Sequence, residues 1–167
     1  MAAAFNRSIL NSYRIIGKRL FISDDNKKRN LYDCKSNPIK AEAIAKNLIA
    51  DWYAAYLIAK ANNIQFYGVL QPNLQTSVSN TAHLEMDDFL HWHEQFDMVY
   101  PLIIKKMKSA CKFDVEFCSR LIDARYWIKT KKPVFIDFCH LTKDGNDLIA
   151  SGLIREIIHN DNKLIKE

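Results

Sequence analysis

The sequence predicts an α/β domain with parallel strand pairing, and three observations carry that expectation. Two apolar runs, Ile64–Leu70 and Val134–Ile136, are too short for helices and rich in β-branched or aromatic residues. Long stretches with apolar residues at helical spacing separate them, and strands isolated between helices pair through crossovers. The first run is also apolar enough to be buried on both faces, as strands of parallel sheets are. Only two such strands are evident in 167 residues, fewer than a layered sheet needs, so an open strand edge is expected.

The order of elements is helix, helix, strand, helix, strand, helix. Ala2–Phe21 carries Phe5, Ile9, Tyr13 and Ile16 on one side of a helix, with Gly17 a weak point. Residues 22–37 are polar and rich in turn formers, and read as a loop or insertion. Asn37-Pro38 then starts a helix, Asn as the cap and Pro at the first helical position. Ile44, Leu48, Trp52 and Tyr56, flanked by Ala45, Ile49, Tyr53 and Leu57, form its broad apolar face, and Asn62-Asn63 provides a left-handed stop. The spacing of these aromatics suits covering a sheet better than stacking on a ligand.

The strand Ile64–Leu70 ends at Pro72. Ligands of open α/β sheets lie at the carboxyl ends of strands, which makes Gln71 and Asn73 candidate substrate-binding residues. Asp87-Asp88 opens the next helix, with Trp92, Phe96 and Val99 inward and Pro101 a kink or restart. His83, His91 and His93 raise a metal site, but no pair of histidines is spaced i, i+4 and none is expected. The stretch 113–126 is ambiguous: Phe113–Phe117 alternates like a strand, and Leu121–Arg125 could be a helical turn.

Pro133 leads into the strand Val134–Ile136, and Thr142 caps a final helix with Asp144 in its first turn. Between them lie Asp137 and His140. A histidine moves protons near neutral pH, and an aspartate on one ring nitrogen fixes its tautomer and stabilises the imidazolium. An Asp-x-x-His turn can join the two locally, although the bare spacing equally fits an incidental surface loop. Cys139 adjoins His140, but neighbours on an extended loop point apart.

The wider string, Asp137-Phe-Cys-His140-Leu-Thr-Lys-Asp-Gly-Asn-Asp-Leu-Ile-Ala150, closely resembles the last sequence block of the SGNH (GDSL-type) hydrolases. Phe66-Tyr-Gly68-Val-Leu-Gln71-Pro72-Asn73-Leu resembles the strand and loop that precede that block in many members. The resemblance implies a three-layer α/β/α sandwich, with His140 the catalytic base, Asp137 its orienting acid, and a surface segment over 113–126. The family's Gly-Asp-Ser nucleophile motif is missing, as are its oxyanion-hole glycine and Gly-x-Asn-Asp segment. The chain therefore looks like a single partial domain over 1–167, the C-terminal half of a serine ester hydrolase, its N-terminal strands missing. It would be inactive alone, and would act on a small-molecule or carbohydrate ester once completed. The alternatives are a non-catalytic partner-binding module, self-associating or pairing through an open edge, and an autonomous enzyme using Ser77, Ser79 or Cys139.

Charge and composition narrow the classes further. Net charge is +5, but the basic clusters are short, are scattered among acids and lack an aromatic platform, so no nucleic-acid site is expected. The four cysteines form no CxxC pair and are expected as thiols. Lys46, Asn47 and Asp51 interrupt the longest apolar stretch, which excludes a membrane span there. The amino-terminal residues do not resemble a signal peptide, and no cofactor is implied. The chain as given is expected to be cytoplasmic, an expectation that lapses if a targeting segment precedes it.

Overall fold

The computed structural model of the chain describes residues 33–84 and 87–164, with the backbone alone over 87–91 and 160–164. All of these fall in one unit, Tyr32–Glu167. The predicted helix over 2–21 and most of the 22–37 loop lie outside the described residues. The described elements run α1 (Pro38–Ala61), β1 (Gly68–Leu70), α2 (Asp87–Ala110), α3 (Val115–Ser119), β2 (Leu121–Asp123) and α4 (Lys143–Leu164). β1 and β2 pair in parallel, with Gly68, Val69 and Leu70 opposite Leu121, Ile122 and Asp123. The fold is thus mixed helix and strand around a two-stranded parallel sheet, closed by a crossover through α2 and α3.

Local chemistry sets both ends of α1. The Asn37 side chain accepts the Lys40 amide at 3.1 Å, and Pro38 occupies the first turn without wasting a donor. Such a cap stabilises a helix by about 1 kcal/mol. The chain leaves the helix through Asn63, whose φ of 56° lies in the left-handed region that asparagine tolerates. The buried face largely follows the predicted one, with Leu48, Trp52 and Tyr53 half-buried against the core, but it is rotated so that Ile44 and Leu57 turn outward. Ala41, Ala45, Ile49 and Tyr56 are buried, whereas Ile44 is 40% exposed. This helix is apolar nearly all round, so its sequence does not single out one face, and packing selects the small alanines. Trp52 closes over the strand: a Cβ on Gly68 would stand 2.8 Å from its ring.

The sheet partner of β1 is not the predicted Val134–Ile136. That run makes only an isolated antiparallel bridge, Phe135 to Leu141, although Val134 and Phe135 are fully buried. The partner is β2, inside the stretch where a helical turn was the alternative. The strand-like alternation of Phe113–Phe117 instead precedes and enters α3, which Asp114 caps by accepting the Phe117 amide at 2.9 Å. This stretch is not a surface segment either, since Phe117 and Ile122 lie in the interior. Three-residue strands carry too little pattern to be told from turns by periodicity. β1 is likewise shorter than its apolar run, and Ile64 is exposed.

Two cores result. The larger joins α1, Leu70, α2 and α3, and includes Val99, Tyr100, Ile103, Met107 and Phe117. α2 runs through Pro101 as one helix. The smaller core is Ile128, Val134 and Phe135, with Leu74, Leu84, Leu141 and Ile149 packed around it. Cys111 and Cys118 form a disulfide, against the expectation of thiols: the turn between α2 and α3 brings their Cα atoms to 4.8 Å. Cys34 and Cys139 are free. No helix among the described residues is long and apolar enough to cross a membrane.

Candidate active site

The smaller core exists to hold one loop. Val134 and Phe135 are its anchor, and the chain then turns over five residues: the Ile136 amide donates to the His140 carbonyl at 2.8 Å. The Thr142 amide returns to the Val134 carbonyl at 3.0 Å, and α4 starts from there. Gly145 lets the first turn of that helix sit against the loop, since a Cβ would come within 2.6 Å of the Val134 carbonyl oxygen. Three further contacts brace the loop from outside. The Leu74 amide donates to the Phe138 carbonyl at 2.9 Å. The His83 ring bonds to the Phe135 carbonyl at 2.7 Å. Phe138 stacks on Trp92 at 4.8 Å and leans on Phe96 at 5.9 Å.

Within that loop Asp137 and His140 meet. The Cys139 and His140 amides donate to Asp137 Oδ1 at 2.9 and 2.7 Å, and His140 Nδ1 lies 2.6 Å from Oδ2. Both carboxylate oxygens are thereby occupied within a four-residue turn, which needs no distant partner. Among the described residues nothing hydrogen-bonds His140 Nε2. His140 lines an open cleft of about 470 Å³ with Gln71, Ile136, Asp137, Cys139, Leu141 and Asn146.

Burial works to raise the Asp137 carboxyl, but the two amides and the His140 ring outweigh it and hold the group down at about 2. Because this lies below the ordinary 3.8, ionised Asp137 stabilises the fold above that pH, and the contribution is lost as pH falls through about 2. Water screens its size, since the side chain is 37% exposed. Carbon-detected NMR of the Asp137 carboxyl should show this midpoint near 2, and Asp137→Asn should remove that part of the acid sensitivity. A midpoint at the ordinary carboxylate value would mean that the amides do not hold the group in solution.

The other sequence candidates are placed less directly. Gln71 is on the cleft wall, and its carbonyl accepts from the Tyr100 hydroxyl at 3.3 Å. Asn73 is 1% exposed and is used locally, its Oδ1 accepting the Gln75 and Thr76 amides at 3.0 Å. Its Nδ2 has no hydrogen bond of ordinary geometry. Burial pushes the Tyr100 hydroxyl above its ordinary pKa, an effect that the nearby Asn73 side chain only partly offsets. The Ser77 and Ser79 hydroxyls are buried without partners, so neither is bonded to His140. His93 pairs with Asp97 at 2.8 Å, and the His91 side chain lies outside the described residues.

Cys139 differs from expectation. Its Sγ is 3.7 Å from His140 Nδ1, because residues 137–140 turn instead of extending and neighbouring side chains share a side. Burial first, and then the Asp137 charge, push its thiol pKa up, which keeps it protonated and weakens it as a nucleophile. The aromatic brace of Trp92, Phe96 and Phe138 was not identified as part of the site. Its only sequence signal was Phe138 lying between the acid and the base. Family models, curated proteins and solved structures were compared with the chain, and none of them matches it.

Proposed function

We propose that this chain supplies the acid–base pair of an SGNH-type serine ester hydrolase, completed by a segment that carries the Gly-Asp-Ser serine and further strands of a three-layer α/β/α sandwich. The observation behind it is the Asp137–His140 contact of 2.6 Å, with Asp137 fixed by two amides, His140 lining a cleft and no described residue bonded to its Nε2. In the completed enzyme the serine hydroxyl attacks the ester carbonyl and gives its proton to His140 Nε2. Asp137 stabilises the imidazolium, which passes the proton to the leaving alcohol. Water then cleaves the acyl-enzyme by the same proton route. Oxyanion donors also come from the completing segment.

Two measurements test this. The chain alone should hydrolyse p-nitrophenyl acetate no faster than its His140→Ala variant. Fused behind an SGNH half that bears the Gly-Asp-Ser serine, it should gain ester hydrolysis that His140→Ala abolishes. Activity in the chain alone would overturn the split, and a folded, inactive fusion would overturn the role of the pair.

A second reading, a partner-binding module, draws on the outer edge of β1. Gly68 and Leu70 bond toward β2, through the Arg120 carbonyl and the Ala124 amide, so Val69 turns its N–H and C=O away from it. Among the described residues no strand pairs with that side, and Ile58 and Ile64 are exposed, 67% and 62%. A second chain could add a strand there. A monomer by light scattering at high concentration would count against it.

A further inference from the structure

We propose that Asp137, Cys139 and His140 also form a binding site for a zinc-class divalent cation, through Oδ2, Sγ and Nδ1. Each of the three residues offers a ligand atom, and those atoms lie within 4.8 Å of one another. A tetrahedral zinc has Zn–N near 2.0–2.1 Å and Zn–S near 2.3 Å, which sets nitrogen and sulfur roughly 3.6 Å apart. Cys139 Sγ and His140 Nδ1 stand 3.7 Å apart and need no rearrangement. Oδ2 is 2.6 Å from Nδ1, so the carboxylate swings outward, by under about 1 Å, to reach tetrahedral spacing.

The donor set selects the ion. A thiolate and an imidazole favour zinc or cadmium, whereas calcium and magnesium demand oxygen donors and more of them. Three protein ligands leave a fourth position for water or another donor, and all three residues line the same open cleft. The ligands fall within four residues of a turn already closed by the Ile136–His140 hydrogen bond, so little further chain ordering is needed. On binding, the thiol loses its proton to solvent. The neutral imidazole moves its hydrogen from Nδ1 to Nε2 through water, and the carboxylate is already ionised.

An occupied site has an Nε2–H and no hydrogen bond from the His140 ring to Asp137, so His140 no longer accepts a proton. That inhibition rests on the proton-transfer reading; the binding itself does not.

The test titrates the full chain with Cd²⁺ without reductant, so that Cys111 and Cys118 stay joined, and follows the ultraviolet thiolate-to-cadmium band. One equivalent should saturate the band, Cys34→Ala should keep it, and Cys139→Ser should abolish it. Calorimetry with Zn²⁺ should show affinity falling by about tenfold or more in Asp137→Asn and in His140→Ala, both of which retain the thiol. Absence of the band, its survival in Cys139→Ser, or unchanged Zn²⁺ affinity in both other variants would overturn the site. Ester hydrolysis by the completed enzyme, assayed in metal-free buffer, is unaffected by that failure.

Discussion

Phe117→Ala is expected to cost about 3–5 kcal/mol of folding stability, as deletion of a fully buried ring does. A domain of this size is stable by only about 5–15 kcal/mol, so much of the total depends on this one side chain. The ring is fully buried and lies 5.0 Å from Tyr53, 5.3 Å from Tyr56, 6.4 Å from Phe113 and 6.5 Å from Phe66, centroid to centroid. It is also the one buried residue of α3, a helix of five residues that cannot hold itself. Release of α3 loosens Arg120, whose carbonyl accepts the Gly68 amide at 2.9 Å and sets the strand register. Urea unfolding should show the midpoint falling sharply, with Phe117→Leu losing clearly less. A loss under about 1 kcal/mol would mean the neighbouring rings collapse into the space, and α3 is held by something else.

Asp137→Asn should lower kcat of the completed hydrolase by about 10⁴ with little change in KM. The substitution keeps the shape of the turn, because an amide oxygen can still accept the Cys139 and His140 amides. It replaces the acceptor facing Nδ1, now 2.6 Å away, by an N–H donor. The imidazole then settles with its hydrogen on Nε2, the nitrogen that accepts the serine proton in the reaction proposed above. Nitrogen NMR of His140 in the chain alone should show that tautomer change directly. A kcat loss below tenfold, with the tautomer changed, would remove Asp137 from the catalytic step.

Local chemistry was legible wherever one residue type answers one backbone need. Asn37 and Pro38, Asn63, and Thr142 with Asp144 marked helix ends that the structure reproduces, since caps and left-handed stops depend on immediate neighbours. The Asp137–His140 contact belongs to the same class, because its hydrogen bonds span at most three residues. Pairing was not legible. Val134–Ile136 has strand composition, but only Val134 and Phe135 are buried, as a core anchor for the loop, while Leu121–Asp123 pairs with a strand about fifty residues earlier. A three-residue segment cannot announce its partner, and burial alone gives Val134 the same signature as a strand residue.

The caps of the first and last described helices, the mixture of helix and strand, and the acid–histidine turn were therefore written in residue order, each being a consequence of short-range hydrogen bonding and apolar periodicity. The rotation of α1 that turns Ile44 outward, the identity of β2, the Cys111–Cys118 bond and the aromatic brace on Phe138 were decided only by assembly. Each of these depends on which apolar surfaces meet across the chain, and close packing chooses among faces that composition leaves equivalent.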